Sequence, residues 1–218
     1  MKVGGAFVHD LTRFAKEFVA AKLYSDSSET AKDKAVIDAI NGRDLDRTAR
    51  TEEIIKWLSY YKVLMFSPRD RSLAIGKQII DFADGPRKKS LDRDKDGIVS
   101  EFNRLGELIG NTAASIKTGK IPKLTSLTSK ALWCCYPDDV PIFDNNAASA
   151  LRVISRLCHL SPAPKQSEYA CSVDLWLKVY KDLDPVMSAA DLSGCPYRIR
   201  LLDRLLWRLG QSSFYDKS

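Results

Sequence analysis

Apolar side chains along this chain recur at helical spacing. Leu11, Phe14, Ala15, Phe18 and Val19 fall on one face of a first segment, the i, i+3, i+4 pattern of an amphipathic helix. A second helix is expected to begin at Asp26, Ser27 or Ser28, to run through Ala35, Ile37 and Ile40, and to stop at Asn41-Gly42. Thr51, Glu52 and Glu53 open a third, with Ile54, Ile55, Trp57 and Leu58 on its buried side. Ser72 to Phe82 predicts a fourth, closed by Asp84-Gly85-Pro86, and about Ser100 to Ile116 a fifth. Ser126 to Cys135 reads as a short apolar helix. After the turn Pro137 to Pro141, Asp144 fits the N-cap of a helix reaching Leu157. Val173 to Leu183 and Tyr197 to Leu209 complete the set. Strand-like alternation is nearly absent, so the pattern predicts an all-α protein.

The charged stretch Arg87 to Asp96 interrupts this periodicity and is the best candidate for an exposed linker. It suggests two packed helical lobes, 1–90 and 91–218, or else one continuous domain. With 218 residues, 44% of them hydrophobic, the chain can build a core without disulfides or metals. Its five cysteines include no C-x-x-C pair and its two histidines are far apart, which argues against a disulfide framework or a zinc site. Free thiols fit a reducing cytoplasm. Neither a secretory leader nor a membrane-length apolar run is visible. The formal charge of +6 suits a polyanionic partner without identifying one.

Asp92-Arg-Asp94-Lys-Asp96-Gly97-Ile98-Val99-Ser100 matches the first nine positions of an EF-hand calcium loop. Three carboxylates one residue apart can converge on a hard cation, and Gly97 permits the sharp turn. The twelfth position, where a bidentate Glu belongs, is Asn103. A calcium site built from Asp92, Asp94, Asp96 and Asn103 is one expectation. A solvated, charged turn capping the following helix is the other.

A second constellation is Leu124-Thr-Ser126-Leu-Thr128-Ser129-Lys130, followed by Val140-Pro141-Ile142-Phe143-Asp144. An amine near a helix start and a carboxylate at the next helix start can serve as nucleophile and charge-stabiliser. The plain alternative is a solvated lysine and an aspartate that only caps a helix. The segment resembles the helix-hairpin-helix DNA glycosylases, especially the 8-oxoguanine branch, whose L-x-G-x-G-x-K hairpin precedes a V-P-x-D-like stretch. Ser126 and Thr128 stand where that family has its hairpin glycines, and the lysine-to-aspartate interval is shorter. The chain also resembles a family of uncharacterised bacterial helical proteins, through Ser129-Lys130, the Pro137 to Asp144 stretch and Arg200-Leu-Leu-Asp203-Arg-Leu-Leu-Trp207.

The glycosylase resemblance implies a helix-hairpin-helix-like element and a DNA-acting base-excision glycosylase or lyase that requires no cofactor. Lys130 would attack the sugar and Asp144 would support the developing positive charge. Ser126, Thr128 and Ser129 of the hairpin, with Lys117, Lys120, Lys123 and Arg152, would hold the DNA backbone. A flipped nucleotide would enter a cleft between lobes. The competing expectation is a non-enzymatic helical module binding nucleic acid or protein, with or without a structural calcium ion. Arg198, Arg200, Arg204 and Arg208 read as a basic helix face, with Asp203 pairing with Arg200 or Arg204. The tryptophans Trp57, Trp133, Trp176 and Trp207 read as core.

Overall fold

A computed structural model describes residues 3–24, 27–42, 45–64, 67–116, 124–157, 168–190 and 195–211. Among them the fold is all-α. The elements are α1 (Val3–Ala20), α2 (Ser27–Asn41), α3 (Arg47–Tyr60), α4 (Arg69–Asp84), α5 (Lys95–Ser115), α6 (Leu124–Cys135), α7 (Asn145–Leu157), α8 (Glu168–Ser188) and α9 (Arg198–Gln211).

Several helix ends follow from side chains in their own first turn. Asp46 caps α3, accepting from the backbone N–H groups of Thr48 at 2.7 Å and Ala49 at 2.9 Å. Helix α3 therefore begins a turn earlier than Thr51, the first residue of its apolar pattern. Helix α5 likewise starts at Lys95 rather than near Ser100, because Asp94 accepts from Gly97 N–H at 2.7 Å. Helix α8 outruns its expected end at Leu183 and contains Pro185 in its final turn.

The chain divides into two compact units. One comprises residues 28–142 and the other residues 1–27 together with 143–218. The expected lobes, 1–90 and 91–218, divide the chain elsewhere. The segment at their boundary joins α4 to α5, which pack on each other inside the first unit.

In the unit of residues 28–142, α3 packs on α4, α4 on α5 and α5 on α6. Ile54, Ile75, Ile79, Ile98, Leu105, Ile109, Leu127 and Leu132 fill its core. Trp57 of α3 stacks on Trp133 of α6, with centroids 5.7 Å apart and planes inclined by 12°. Asp33, buried on α2, accepts from Trp57 Nε1 at 2.9 Å and from Tyr61 Oη at 3.1 Å. Gly76 on α4 lets α3 approach closely, since a Cβ there would lie 2.9 Å from Thr51 Cγ2.

In the other unit α7 packs chiefly on α9, and α8 supports α1, α7 and α9. Trp176 stacks on Tyr180 and donates Nε1 to Asp203 at 3.0 Å. A Cβ at Gly210 would collide with the backbone carbonyl of Asn146, so glycine is what lets α9 end against the first turn of α7.

Two surface expectations change here. Arg200 and Arg204 are buried, and Arg204 donates to the Tyr24 carbonyl, while Arg198 and Arg208 are exposed. The basic face is thus split, because the apolar stripe of α9 carries two arginines inward with it. Trp207, expected in the core, is 44% exposed.

Candidate functional site

Helix α6 is enclosed over most of its length. Every side chain from Leu127 to Cys135 is buried. Thr128 faces α5 at Gly106, where a Cβ would sit 3.6 Å from Thr128 Cγ2. That packing explains why Leu124–Thr128 is helix rather than a hairpin. Ser126 and Thr128, without glycine's backbone freedom, continue the helical turn against α5. Thr128 and Ser129 are consequently buried and Ser126 is half-buried. Ser129 Oγ donates to the Ser126 carbonyl at 3.1 Å.

Lys130 is only 4% exposed, which excludes the solvated lysine of the plain alternative. Its Nζ donates to Ser126 Oγ at 2.9 Å. Trp133, one turn away, is engaged with Trp57 inside the unit.

The chain leaves α6 through a tight turn in which Asp139 and Val140 N–H both donate to the Tyr136 carbonyl at 3.1 Å. The segment expected to be a free linker is fastened to this turn. Asp139 Oδ2 accepts from Ser90 Oγ at 2.9 Å and from Leu91 N–H at 2.8 Å. Arg93 Nε donates to the Asp138 carbonyl at 3.1 Å, and Arg87 Nη1 to the Cys135 carbonyl at 2.6 Å. Burial pushes the Cys135 thiol up to about 12, with the Arg87 cation opposing it, and burial also pushes Tyr136 up to about 12.

Past Ile142 the chain enters the other unit. There Asp144 Oδ1 accepts from Asn146 N–H at 2.8 Å, and its carbonyl accepts from Ala148 N–H at 2.8 Å. The expected cap of α7 is therefore present, and the Asp144 side chain is half-buried. Arg152, exposed one turn further along, donates Nε to the Ala148 carbonyl at 3.3 Å. Lys117, Lys120 and Lys123 lie outside the described residues. In the same unit burial raises Tyr169 far above the usual phenol range, and the Asp203 carboxylate adds to the shift.

The four expected calcium ligands are not brought together. Asp92 and Arg93 take the left-handed conformation (φ 51° and 52°), and the helix has already begun at Lys95. Asp94 is spent on capping, Asp96 lies exposed in the first turn, and Asn103 is exposed on α5. Asn103 is nine residues from Asp94, or about 13 Å of helical rise. The same aspartates that suit a calcium loop also suit a helix N-terminus, and sequence pattern does not separate the two. Among the described residues no three His, Cys, Asp or Glu side chains form a group suited to a metal ion.

These observations define an all-α protein of two helical units whose central unit carries a buried lysine next to a serine hydroxyl. No protein-family model, curated protein or solved structure matches the chain.

Proposed function

We propose that the chain acts on DNA as a base-excision glycosylase and abasic-site lyase, with Lys130 as the amine nucleophile. The observation that carries this reading is the burial of Lys130 at 4% exposure. Lysine is seldom buried to that degree. An amine removed from water loses the hydration that favours its ammonium form, and such surroundings are where lysines act as nucleophiles. The net charge of +6 favours a phosphate backbone as partner. Cys134, Cys135, Cys171 and Cys195 are free thiols, which suits a reducing cytoplasm. Among the described residues no helix is long and apolar enough to cross a membrane.

On an abasic sugar in its open aldehyde form, the Nζ lone pair bonds C1′ while the carbonyl π pair moves onto oxygen. A proton passes from nitrogen to that oxygen, and loss of water leaves the imine. Borohydride then delivers hydride to C1′ and makes the adduct permanent. Wild type is expected to give this adduct on duplex DNA carrying an abasic site. Lys130→Ala is expected to give none. No adduct from folded wild type would reject the lyase mechanism.

One observation favours a second reading, a non-enzymatic nucleic-acid-binding module. Trp207 is 44% exposed and is followed by exposed Arg208, the aromatic and cationic pairing on which single-stranded bases stack. DNA retention without adduct or base release, lost in Trp207→Ala, would select it.

A further inference from the structure

Ser126 and Lys130 are four residues apart on α6 and so share one face of the helix. Helical side chains lean toward the N-terminus, which brings the lysine stem back over the turn that carries Ser126. Nζ and Oγ meet at 2.9 Å, and of the two residues Ser126 is the more exposed. The Ser126 main chain is held as well, because its carbonyl accepts from Ser129 Oγ at 3.1 Å.

We propose that Ser126 is a positioning residue for the Lys130 amine, fixing the direction from which Nζ reaches an electrophilic carbon and holding its ammonium form between turnovers. This assignment rests on the glycosylase reading. It replaces the phosphate contact expected of Ser126 from the hairpin resemblance, since a hydroxyl engaged by Nζ inside a helix is directed along α6. Only the neutral amine carries the lone pair that bonds C1′. A hydroxyl acceptor binds a charged donor more strongly than a neutral one, so Ser126 favours the resting ammonium while it orients the group. Its removal therefore has two separable effects. The amine loses its fixed direction, which lowers the maximal rate. The ammonium loses an acceptor, so the neutral form is reached at lower pH.

The test is the rate of adduct formation on abasic duplex DNA with cyanoborohydride, followed from about pH 5.5 to 9, for wild type, Ser126→Ala and Ser126→Thr. Ser126→Ala is expected to lower the plateau by about tenfold and to move the acidic limb to lower pH. Ser126→Thr keeps the hydroxyl and is expected to restore both. Alanine is a better helix former than serine, so α6 remains intact, which a thermal melt checks. A Ser126→Ala limb that coincides with wild type, whatever the plateau, overturns the assignment, because loosened packing alone lowers a rate without moving the limb. A wild type that forms no adduct at any pH removes the glycosylase reading and this assignment with it.

Discussion

Two of the buried cations in the unit of residues 28–142, Arg50 and Lys130, are held in different ways. Arg50, on α3, is 6% exposed and locked by its rigid fork. Nη1 and Nη2 grip Asp84 at 2.9 and 2.7 Å, while Nε and Nη2 reach the carbonyls of Ala39 and Ile40 at 2.7 and 2.8 Å. Those bonds close the C-terminal end of α2 and tie it to α4. Lys130, on α6, is buried as deeply but presents a single amine, with Ser126 Oγ as a neighbour. A guanidinium keeps its proton under all ordinary conditions, so burying one makes structure. An amine can give its proton up, so burying one can also make a nucleophile. The contrast teaches that depth of burial does not distinguish the two roles, whereas the chemistry of the buried group does.

The largest expected effect is at Lys130. Lys130→Met replaces the amine with an apolar chain of similar volume. Adduct formation should vanish while the protein stays folded, with a smaller loss of stability to urea than Arg50→Met shows. A large loss of stability would mean that Lys130 holds the fold as Arg50 does, and the contrast would fail.

Arg50→Met is expected to do the reverse. It strands two helix-end carbonyls and a carboxylate, at a cost of about 3 kcal/mol. The half-exposure of Asp84 keeps the loss from going higher. Urea unfolding reads it directly, and a loss below about 1 kcal/mol would remove Arg50 as the structural pole of the comparison.

Alkaline pH probes the surroundings of α6 itself. Cys135 rises from an ordinary 9.0 to about 12, so above pH 9 the unfolded chain releases its thiol proton while the folded chain keeps it. The unfolded state then binds fewer protons, and stability falls as pH rises. The thiol alone accounts for about 1 kcal/mol lost by pH 10, and Tyr136 adds to the loss above its ordinary value of 10.0. Melting temperatures from pH 8 to about 10.5 check this, and the slope should flatten in Cys135→Ala.

Asp139→Ala tests the strap beneath the α6 turn. It removes the acceptor for Ser90 Oγ and Leu91 N–H and should cost about 1–2 kcal/mol. Adduct formation by Lys130 should persist, since the lysine lies more than two turns back along the chain. The smallest effect belongs to calcium. With Asn103 carried away along α5, millimolar Ca2+ should leave the melting temperature unchanged, and a clear upward shift would restore the cation loop.

The legible parts of this molecule are those whose cause is local. Asp144 and the whole span of α7 could be read from the chain because the capping carboxylate binds the backbone of its own first turn. The stop of α2 at Asn41-Gly42 and that of α4 before Gly85-Pro86 follow from backbone chemistry in the same way. The pairing of Lys130 with Ser126 was also within reach, since an i, i+4 relation needs only the knowledge that the segment is helical.

Tertiary structure decided the rest. The aspartates of 92–96 fit a calcium loop and a helix start equally well in sequence, and the packing of Ile98 at 0% exposure goes with helix from Lys95 onward. Arg200, Arg204 and Trp207 all lie on one periodic helix, yet the arginines turn inward and the tryptophan outward, because α7 and α8 determine which face is covered. The division at 27/28 and 142/143, which joins the two ends of the chain in one unit, has no local signature, since pairing distant segments depends on contacts that no short window contains. The sequence by itself thus determined the helices, most of their ends and the candidate residues. Only the fold decided that Lys130 is buried and that Asp94 caps a helix beginning at Lys95.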